Sequence, residues 1–384
     1  MELRIEIART VDQIEELRTV WDVLPWEREE AELDNFLARL RARSNAIGPY
    51  AIVVYRGDEP VSGLIGRIES RELKTNLGYR VVYAPSLRVL QIVDGGLVAA
   101  DVAAIPPLVA ALGDALARGD AQAAALPPLP VESELFARFG ALGGPLERQR
   151  FVPTWTRRRL VLPESFDAFL ASRSWETRRG IKKTANRLRA KFGDQMRVEV
   201  LREPASLDRL VHDLDQVASL TYHRAVGAGF ADTPEHRELA RIGLESGRTR
   251  AYVLYHGEQP IAYWLCSVYR GTMYLQTTGF DNAYAHDRVG IYLLMRLFED
   301  ACADPAIDVI DFGPGDADYK RLYTNDGVPE RNLFVFAPTF RARRINATRT
   351  AILGLALGAR RALDAVNATD RLKALWRKRL RARA

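Results

Sequence analysis

The stretch Ala51-Ile-Val-Val-Tyr-Arg-Gly-Asp-Glu-Pro60 recurs later in the chain as Ala251-Tyr-Val-Leu-Tyr-His-Gly-Glu-Gln-Pro260. The alanine, the first valine, the tyrosine, the glycine and the proline of the first copy are identical in the second. Each copy is typical of a strand rich in β-branched residues, a polar turn and a second strand that begins with proline. The repeat predicts two copies of one supersecondary unit, and therefore a duplication. The alternative is chance, because strand-turn-strand patterns share few residue types.

The composition is that of a folded globular protein long enough for two domains, with 384 residues of which 47% are hydrophobic. No apolar run approaches the roughly 20 residues that span a bilayer, and Met1–Ile7 carries charges where a secretory signal has an apolar core. We therefore expect a cytoplasmic protein. The cysteines Cys266 and Cys302 lack CxxC spacing and the histidines lack ligand spacing, so neither a disulfide framework nor a metal site is expected.

The formal net charge of +6 is unevenly distributed. From Arg341 onward there are thirteen Arg or Lys and two Asp, a net charge of +11, so the preceding residues sum to −5. A second basic block runs from Arg157 to Lys191, with eleven Arg or Lys against three acidic residues, a net charge of +8. We expect anionic partners at these two places.

The second half of the chain is predicted to form a mixed α/β sheet. Three consecutive antiparallel strands are expected at 251–256, 260–269 and 272–280, with tight turns between them. A helix from about 290 to 303 and a buried strand at 307–312 follow. A helix that leads into a further strand indicates parallel pairing in the middle of the sheet. We expect a cleft where those two strands splay apart.

An amphipathic helix that begins at Trp175 has one wholly basic face. Its cations recur at spacings of three and four, and those expected to bind an anion are Arg178, Arg179, Lys182, Lys183 and Arg187. Neighbouring cations repel one another unless an anion is near. The alternative is a solvated helix whose repulsion is screened by salt.

The turn Tyr284-Ala-His-Asp-Arg-Val-Gly290 precedes the helix predicted near 290–303. Free backbone N–H groups at a helix start can bind phosphates, and Gly290 would let a ligand approach the backbone closely. The alternative is a helix start that Asp287 caps.

The sharpest motif is Gly313-Pro-Gly-Asp-Ala-Asp-Tyr-Lys320, which follows the predicted buried strand. Its ionisable groups Asp316, Tyr319 and Lys320 would lie at the mouth of a parallel sheet, the usual location of ligand sites. The alternative is a turn in which Asp316 caps the next helix and Lys320 is a surface residue. No nucleophile elbow, Walker A or GxGxxG motif is present, which disfavours hydrolase, NTPase and dehydrogenase functions.

Together, the hairpin turn Gly257–Pro260, the turn before the helix, the motif at 313–320 and the basic helix resemble the GNAT acyltransferases. They look like the bacterial CelD-type family of cellulose- and exopolysaccharide-associated acetyltransferases, which is related to the Fem-type aminoacyl transferases. The resemblance implies an α/β mixed sheet with tandem duplicated GNAT-like halves plus a basic C-terminal helix. The implied domains are a degenerate half at 1–155, a half with the donor site at 156–340 and a basic amphipathic tail at 341–384.

The resemblance also implies a co-substrate, acetyl-CoA or another acyl-CoA. Arg288 and Gly290, with the adjacent Ile291, would hold the donor pyrophosphate. The strand that contains Gln276 and Thr278 would lie against the pantetheine arm.

An acyl transfer needs a base for the attacking amine or hydroxyl, hydrogen-bond donors for the oxyanion and an acid for the leaving thiolate. Under the same resemblance Asp316 is the expected base and Tyr319 the expected acid. Lys320 would supply positive charge near the oxyanion or the donor phosphate.

Three function classes fit these features. The first is an acyl-CoA-dependent N- or O-acyltransferase that acts on a sugar, a polysaccharide precursor or a lipid-linked intermediate. The second is an aminoacyl-tRNA-dependent, Fem-like peptidyltransferase, in which the basic helix would bind tRNA. The third is a non-catalytic protein that binds polyanions or a membrane. The tail at 341–384 could lie on an anionic membrane surface or pack on the body of the protein.

Overall fold

The computed structural model describes residues 3–78, 80–221, 224, 229–315 and 317–365. These residues form two compact units. Unit 1 contains the described residues of Met1–Pro25, Asn45–Pro153 and Arg331–Ala384. Unit 2 contains those of Trp26–Ser44 and Thr154–Glu330. The short segment 26–44 therefore belongs with unit 2, although most of unit 1 follows it in the sequence.

Strands and helices account for most of the described residues. The strands are β1 (Leu3–Ala8), β2 (Ala46–Arg56), β3 (Glu59–Glu72), β4 (Thr75–Leu77), β5 (Arg80–Tyr83), β6 (Ser86–Ala99), β7 (Ala123–Pro130), β8 (Trp155–Val161), β9 (Met196–Leu201), β10 (Thr249–His256), β11 (Gln259–Tyr269), β12 (Thr272–Phe280), β13 (Val309–Asp311) and β14 (Asp326–Phe336). The helices are α1 (Val11–Glu16), α2 (Arg18–Trp21), α3 (Leu33–Ala42), α4 (Ile105–Arg118), α5 (Glu134–Gly140), α6 (Phe166–Ala171), α7 (Trp175–Phe192), α8 (Leu207–Ser219), α9 (Pro234–Glu245), α10 (Val289–Ala303), α11 (Asp318–Tyr323) and α12 (Phe340–Ala365).

Unit 1 is built on the strand order β1-β2-β3-β6-β7. Neighbouring strands are antiparallel except β6 and β7, which run parallel. A parallel pair needs a crossover connection, and α4 provides it. The apolar face of α4, which includes Leu108 and Leu112, is fully buried in the core of this unit.

Unit 2 repeats this arrangement in the strand order β8-β13-β12-β11-β10-β9, and the first residues of β14 pair with β8. Here β12 and β13 form the parallel pair, and α10 is the crossover helix between them. Leu293, Leu297 and Phe298 of α10 are fully buried against the sheet. The predicted mixed sheet with parallel pairing in its middle is confirmed.

The repeated stretch forms the same hairpin in both units. Tyr55 lies opposite Pro60 and Tyr255 opposite Pro260, and in both hairpins the register shifts just before the tyrosine. The turn glycine two residues after each tyrosine has a positive φ, +66° in unit 1 and +59° in unit 2, which explains why glycine occupies both turns. The predicted duplication is therefore confirmed by matching register and turn geometry.

The strand before each hairpin is duplicated as well. Arg4 of β1 lies 3.8 Å from the ring centre of Tyr55, and Arg197 of β9 lies 4.4 Å from that of Tyr255. Each arginine also pairs with the glutamate two residues later, at 2.9 and 2.8 Å. This repeat is not evident in the sequence, because the number of residues between the strand and the hairpin differs between the two copies.

The tail begins as α12, whose first turns pack on unit 1. Ala342 and Ile345 are buried in the core of that unit. Arg343 Nε donates to Glu147 Oε1 at 2.5 Å, and Arg349 Nη1 donates to the carbonyl of Leu73 at 3.1 Å. Residues 366–384, the other part of the predicted basic tail, lie outside the described residues. Among the helices that the structure describes, none is both long and apolar enough to cross a membrane.

Candidate active site

A cleft opens in unit 2 where β12 and β13 separate. Their last paired residues are Tyr274 and Asp311. β13 ends there, whereas β12 continues to Phe280, so the β13-facing side of 275–280 has no partner strand among the described residues. Gln276 is an extra residue in the pairing of β12 with β11, that is, a β-bulge at the start of the cleft. Bulges often re-aim side chains beside active sites.

The turn before α10 has two backbone N–H groups without an acceptor in the part of the chain that the structure describes. Arg288 is the N-cap residue, in the left-handed conformation with φ +56°, and no side chain caps the helix. The N–H groups of Ile291 and Tyr292 both donate to the Arg288 carbonyl at 3.1 Å. The N–H groups of Val289 and Gly290 have no acceptor among the described residues. Val289 is fully buried, so the accessible donor is the Gly290 N–H, which favours an anion at this helix N-terminus.

The structure defines the surroundings of Gly290 and Asp287 in this turn, which the sequence left open. A Cβ at Gly290 would approach the ring of Phe280 to 3.4 Å, so packing alone tolerates a small side chain there. The interpretation of Asp287 as the helix cap is wrong, because Arg288 takes the N-cap position. Asp287 is instead buried, accepts a 2.6 Å hydrogen bond from Lys191 Nζ, and thereby ties α7 to the turn.

Helix α7 and the turn enclose a cavity of about 210 Å³. The predicted donor residues Arg288 and Ile291 both line it. The side of α7 that faces it carries Glu176, Thr177, Gly180, Ile181 and Thr184, and Leu322 and Tyr323 of α11 complete the lining. The structure thus joins the predicted phosphate turn to α7, but through the less polar side of that helix rather than its basic face.

The basic face of α7 is exposed. Its predicted anion-binding cations are Arg178, Arg179, Lys182, Lys183 and Arg187. Arg187 Nε lies 4.0 Å from Asp287 Oδ1, and the other four make no ion pair with a residue that the structure describes. The guanidinium of Arg179 stacks over the ring of Trp175 at 5.1 Å. The face is therefore available to an anion.

Lys320 is a buried structural cation. Its Nζ donates to the carbonyls of Phe312 and Pro314 at 2.6 and 2.8 Å and lies 3.4 Å from that of Gly313. Burial lowers the pKa of Lys320, whereas the charge of Asp311 opposes that shift. Since an ammonium has three protons to donate, these carbonyls occupy its donor capacity. In this geometry Lys320 holds the loop after β13 in place.

Tyr319, the expected acid, is half-buried on α11. Its ring packs against that of Phe312, with 6.3 Å between centroids, and its hydroxyl makes no hydrogen bond to another described residue. Burial raises the pKa of Tyr319, so the phenol stays protonated at neutral pH. Asp316, the expected base, lies outside the described residues.

The side chains of Gln276 and Thr278 are engaged within unit 2. Gln276 Nε2 donates to Glu29 Oε1 at 2.6 Å and to Ser267 Oγ at 3.0 Å. Thr278 Oγ1 donates to the carbonyl of Tyr263 at 2.8 Å. A ligand beside β12 would therefore meet the backbone of this strand rather than these two polar side chains.

Glu29 is a site residue that sequence reasoning missed. Its side chain is buried and accepts a hydrogen bond from the bulge residue Gln276, at the start of the cleft. Burial raises the pKa of Glu29 to about 7, and the charge of Glu30 adds to the shift, whereas Ser267 and the charges of Arg39 and Arg248 oppose it. No sequence signal separates Glu29 from the neighbouring glutamates, because only tertiary contacts bring segment 26–44 onto β12. A carboxyl group with a pKa near 7 is suited to general acid-base work.

A buried ion-pair network fixes the closed end of the cleft. Asp311 Oδ2 accepts from Arg28 Nη2 at 2.9 Å and from Arg157 Nη1 at 3.2 Å, and Asp311 Oδ1 accepts from the Gly313 N–H at 2.6 Å. Arg157 Nε also donates to both oxygens of Glu330, at 2.9 and 2.8 Å. The network sets the direction in which the chain leaves β13.

The corresponding turn of unit 1 cannot supply the same donors. Asp101 caps the 3₁₀ helix Val102–Ala104 that leads into α4: its carboxylate accepts from the Ala104 N–H at 2.9 Å and also pairs with Arg56 at 2.9 Å. Pro106 and Pro107 follow in the first turn of α4 and have no N–H. A phosphate at this turn would lie near the Asp101 carboxylate and would lack backbone N–H donors at Pro106 and Pro107.

The fold and the cleft define a GNAT-fold protein, and comparisons with known proteins agree. Residues 176–321 match the family model described as an acetyltransferase (GNAT) domain. No curated protein matches the chain significantly. These findings indicate an acyltransferase of the GNAT type.

Solved structures show the same fold over most of the chain. FemX matches 88% of this chain and 97% of its own, with 11% identity and a TM-score of 0.57. A tandem GNAT protein from the clavulanic acid biosynthesis pathway matches 88% of this chain and 99% of its own, with 11% identity and a TM-score of 0.51. At such identities the likeness extends to the fold alone.

Proposed function

We propose that unit 2 is an acyl-CoA-dependent N- or O-acyltransferase whose acceptor is a sugar, a polysaccharide precursor or a lipid-linked intermediate. The observation that carries the proposal is the Gly290 N–H, which has no acceptor among the described residues and lies on a turn that follows the splayed strand β12. That donor and the exposed Arg288 guanidinium suit a pyrophosphate. The open side of β12 suits an extended amide-containing arm, which would pair with the strand as a further strand does.

The residues present fit acyl-CoA chemistry, in which the co-substrate supplies an acyl group activated as a thioester. Glu29 is the proposed base, which takes the proton from the attacking amine or hydroxyl. Tyr319 is the proposed acid, which gives its proton to the sulfur as the C–S bond breaks and the new C–N or C–O bond forms. Lys320 keeps the loop after β13 in place. A catalytic role for Asp316 stays a prediction.

Replacing Gly290 by aspartate is expected to weaken the binding of acetyl-CoA at least about 30-fold. A carboxylate would then face the donor pyrophosphate at short range, where like charges cost several kcal/mol. Isothermal titration with acetyl-CoA and a longer acyl-CoA measures the effect. Gly290→Ala is the matched control, because its Cβ meets only the ring edge of Phe280 and adds no charge. Wild-type protein that binds neither acyl-CoA at sub-millimolar concentration would refute the proposal.

Tyr319→Phe is expected to slow turnover about 100-fold and to leave acyl-CoA affinity within threefold, because the phenol acts on the leaving sulfur and the ring still packs on Phe312. The measurement is the rate of thiol release from acetyl-CoA in the presence of an acceptor found by screening. Turnover equal to wild type would remove the acid role from Tyr319.

The basic face of α7 favours one other candidate function, an aminoacyl-tRNA-dependent peptidyltransferase. Four of its five cations have no carboxylate partner among the described residues, and an extended surface of this kind suits a nucleic-acid backbone. Binding of tRNA with a steep dependence on salt, together with a lack of acyl-CoA binding, would favour this alternative. We also propose a cytoplasmic location, with the part of the tail that follows the buried first turns of α12 on an anionic membrane surface.

A further inference from the structure

Unit 1 contains a cavity of about 700 Å³, which is within the usual range for small-molecule sites. It is formed by α5, the segment 148–152 and the last residues of β14. The segment pairs with the strand, since the Gln149 N–H donates to the Phe334 carbonyl at 3.0 Å and Arg148 lies opposite Val335. Its walls are therefore held by backbone hydrogen bonds and by a helix.

Most of the wall is apolar and aromatic. Phenyl rings come from α5, from the segment and from the strand, namely Phe136, Phe139, Phe151 and Phe334. Phe151 has φ +61° and is 49% exposed. A bulky residue rarely adopts this backbone conformation, and where it does the site often clamps a ligand.

Polar groups of the wall point to an anion that also donates a hydrogen bond. Arg148 and Arg150 are exposed cations; Arg148 donates to the carbonyl of Gly143, and Arg150 makes no ion pair with a described residue. Asn332 Oδ1 is buried and has no hydrogen-bond partner among the described residues. Such an acceptor is costly to leave unpaired, so a rotation of the Asn332 side chain that brings Oδ1 to a ligand hydroxyl would be favoured.

The cavity adjoins the exposed apolar part of α12. A Cβ at Gly354 would lie 3.7 Å from the ring of Phe151. One residue further along α12, Leu355 is 70% exposed. This continuity of apolar surface from helix to cavity suits a ligand that arrives from a lipid surface.

We propose that this cavity binds a lipid phosphate, with its apolar chain among the phenyl rings, its phosphate at Arg148 and Arg150, and a headgroup hydroxyl at Asn332 Oδ1. Binding of the lipid does not depend on the proposed transferase activity. If the bound lipid is also the acceptor of the acyl group, the acceptor class narrows to lipid-linked phosphates. That second step rests on the proposed function.

The test is titration of the full-length protein with 1-dodecanoyl-glycerol-3-phosphate below its micellar concentration. The matched ligand without phosphate is 1-dodecanoyl-glycerol. Gly140→Leu places a branched side chain in the cavity, because a Cβ at this helix end meets only Leu333 at 3.9 Å. Arg150→Glu reverses the unpaired cation, and Asn332→Leu removes the unpartnered oxygen. Arg138→Glu, on the same helix but outside the lining, is the control.

We expect saturable binding of the phosphate ligand, at least tenfold tighter than that of 1-dodecanoyl-glycerol. Affinity should fall at least tenfold in Gly140→Leu and at least fivefold in Arg150→Glu and Asn332→Leu, and stay within twofold in Arg138→Glu. Absence of saturable binding, equal binding of the uncharged ligand, or equal binding by the folded Gly140→Leu and Arg150→Glu variants would overturn the proposal. Lipid binding without acyl-CoA binding would refute the transferase and leave this site standing.

Discussion

Replacing Arg157 by leucine is expected to lower the free energy of unfolding by about 3–5 kcal/mol, because two buried carboxylates then lose the cation between them. Asp311 and Glu330 are 3% and 6% exposed, and water cannot replace the arginine without opening the sheet. Asp311 also holds the Gly313 N–H at the end of β13. The same variant should therefore bind acyl-CoA more weakly. Urea denaturation followed by circular dichroism measures the change in stability.

The control for this prediction lies two residues away on the same strand. Arg159 pairs with Asp326 at 2.7 Å, but both side chains are more than one-third exposed. Solvent screens such a pair, so Arg159→Leu should cost no more than about 1 kcal/mol. Equal losses of unfolding free energy in the two variants would show that the destabilisation does not depend on burial of the Arg157 ion pairs.

Replacing Glu29 by glutamine is expected to slow acyl transfer by about 10² to 10³, the usual contribution of a general base. The amide keeps an oxygen for the 2.6 Å hydrogen bond from Gln276 Nε2 but cannot accept a proton from the acceptor. Acyl-CoA affinity should stay within threefold. Turnover equal to wild type would exclude Glu29 as the base and would leave the donor site unaffected.

The pH dependence gives a second measurement on Glu29. Because the pKa of this carboxyl is raised to about 7, the base form accumulates only as the pH rises. Wild-type kcat/KM should therefore increase through about pH 7, and the Glu29→Gln profile should lack that step. Removing the charge of Glu30, which adds to the pKa shift, should move the inflection of the Glu30→Gln profile to lower pH. An unmoved inflection would assign the titration to another group.

The free energy of unfolding should change with pH in the direction opposite to kcat/KM, so ionisation of Glu29 should lower it as the pH rises. A carboxyl with a raised pKa in the folded state holds its proton more tightly than in the unfolded chain, so its favourable contribution is present below 4.5, the ordinary pKa of a glutamate side chain. That contribution is lost as the pH rises toward about 7, by about 3 kcal/mol in total. The unfolding free energy of wild-type protein relative to Glu29→Gln should fall over this interval. This comparison needs no acceptor.

Local sequence patterns predicted the strands of unit 2 well. The predicted strands at 251–256, 260–269 and 272–280 correspond to 249–256, 259–269 and 272–280, and the predicted helix start at 290 lies one residue from the observed start at Val289. Period-two alternation, turn glycines and an apolar helix face are all local signals, so one sequence contains them. The duplicated hairpin was visible for the same reason, since its turn must be repeated residue by residue to keep its register.

Side-chain roles were harder to predict because they depend on what distant segments bring near. Lys320 has the position of a catalytic lysine in the sequence, yet three carbonyls of its own loop surround its ammonium. Asp287 has the position of a helix cap, yet a lysine of α7 draws it into an ion pair. For Asp287 the partner comes from a distant helix, and for Lys320 it comes from the way the preceding loop folds back, so the residue types beside them do not reveal either role.

The sequence by itself therefore determined the duplicated hairpins, the mixed sheet and the position of the turn before α10, because each follows from short-range spacing. Only the tertiary structure decided that the carboxyl group over the β12 bulge belongs to Glu29, more than 240 residues away from Gln276 in the chain. Burial of that group, and hence its pKa near 7, is a property of the folded environment. A sequence specifies which groups can ionise, whereas the packed structure sets the proton affinity with which they do so.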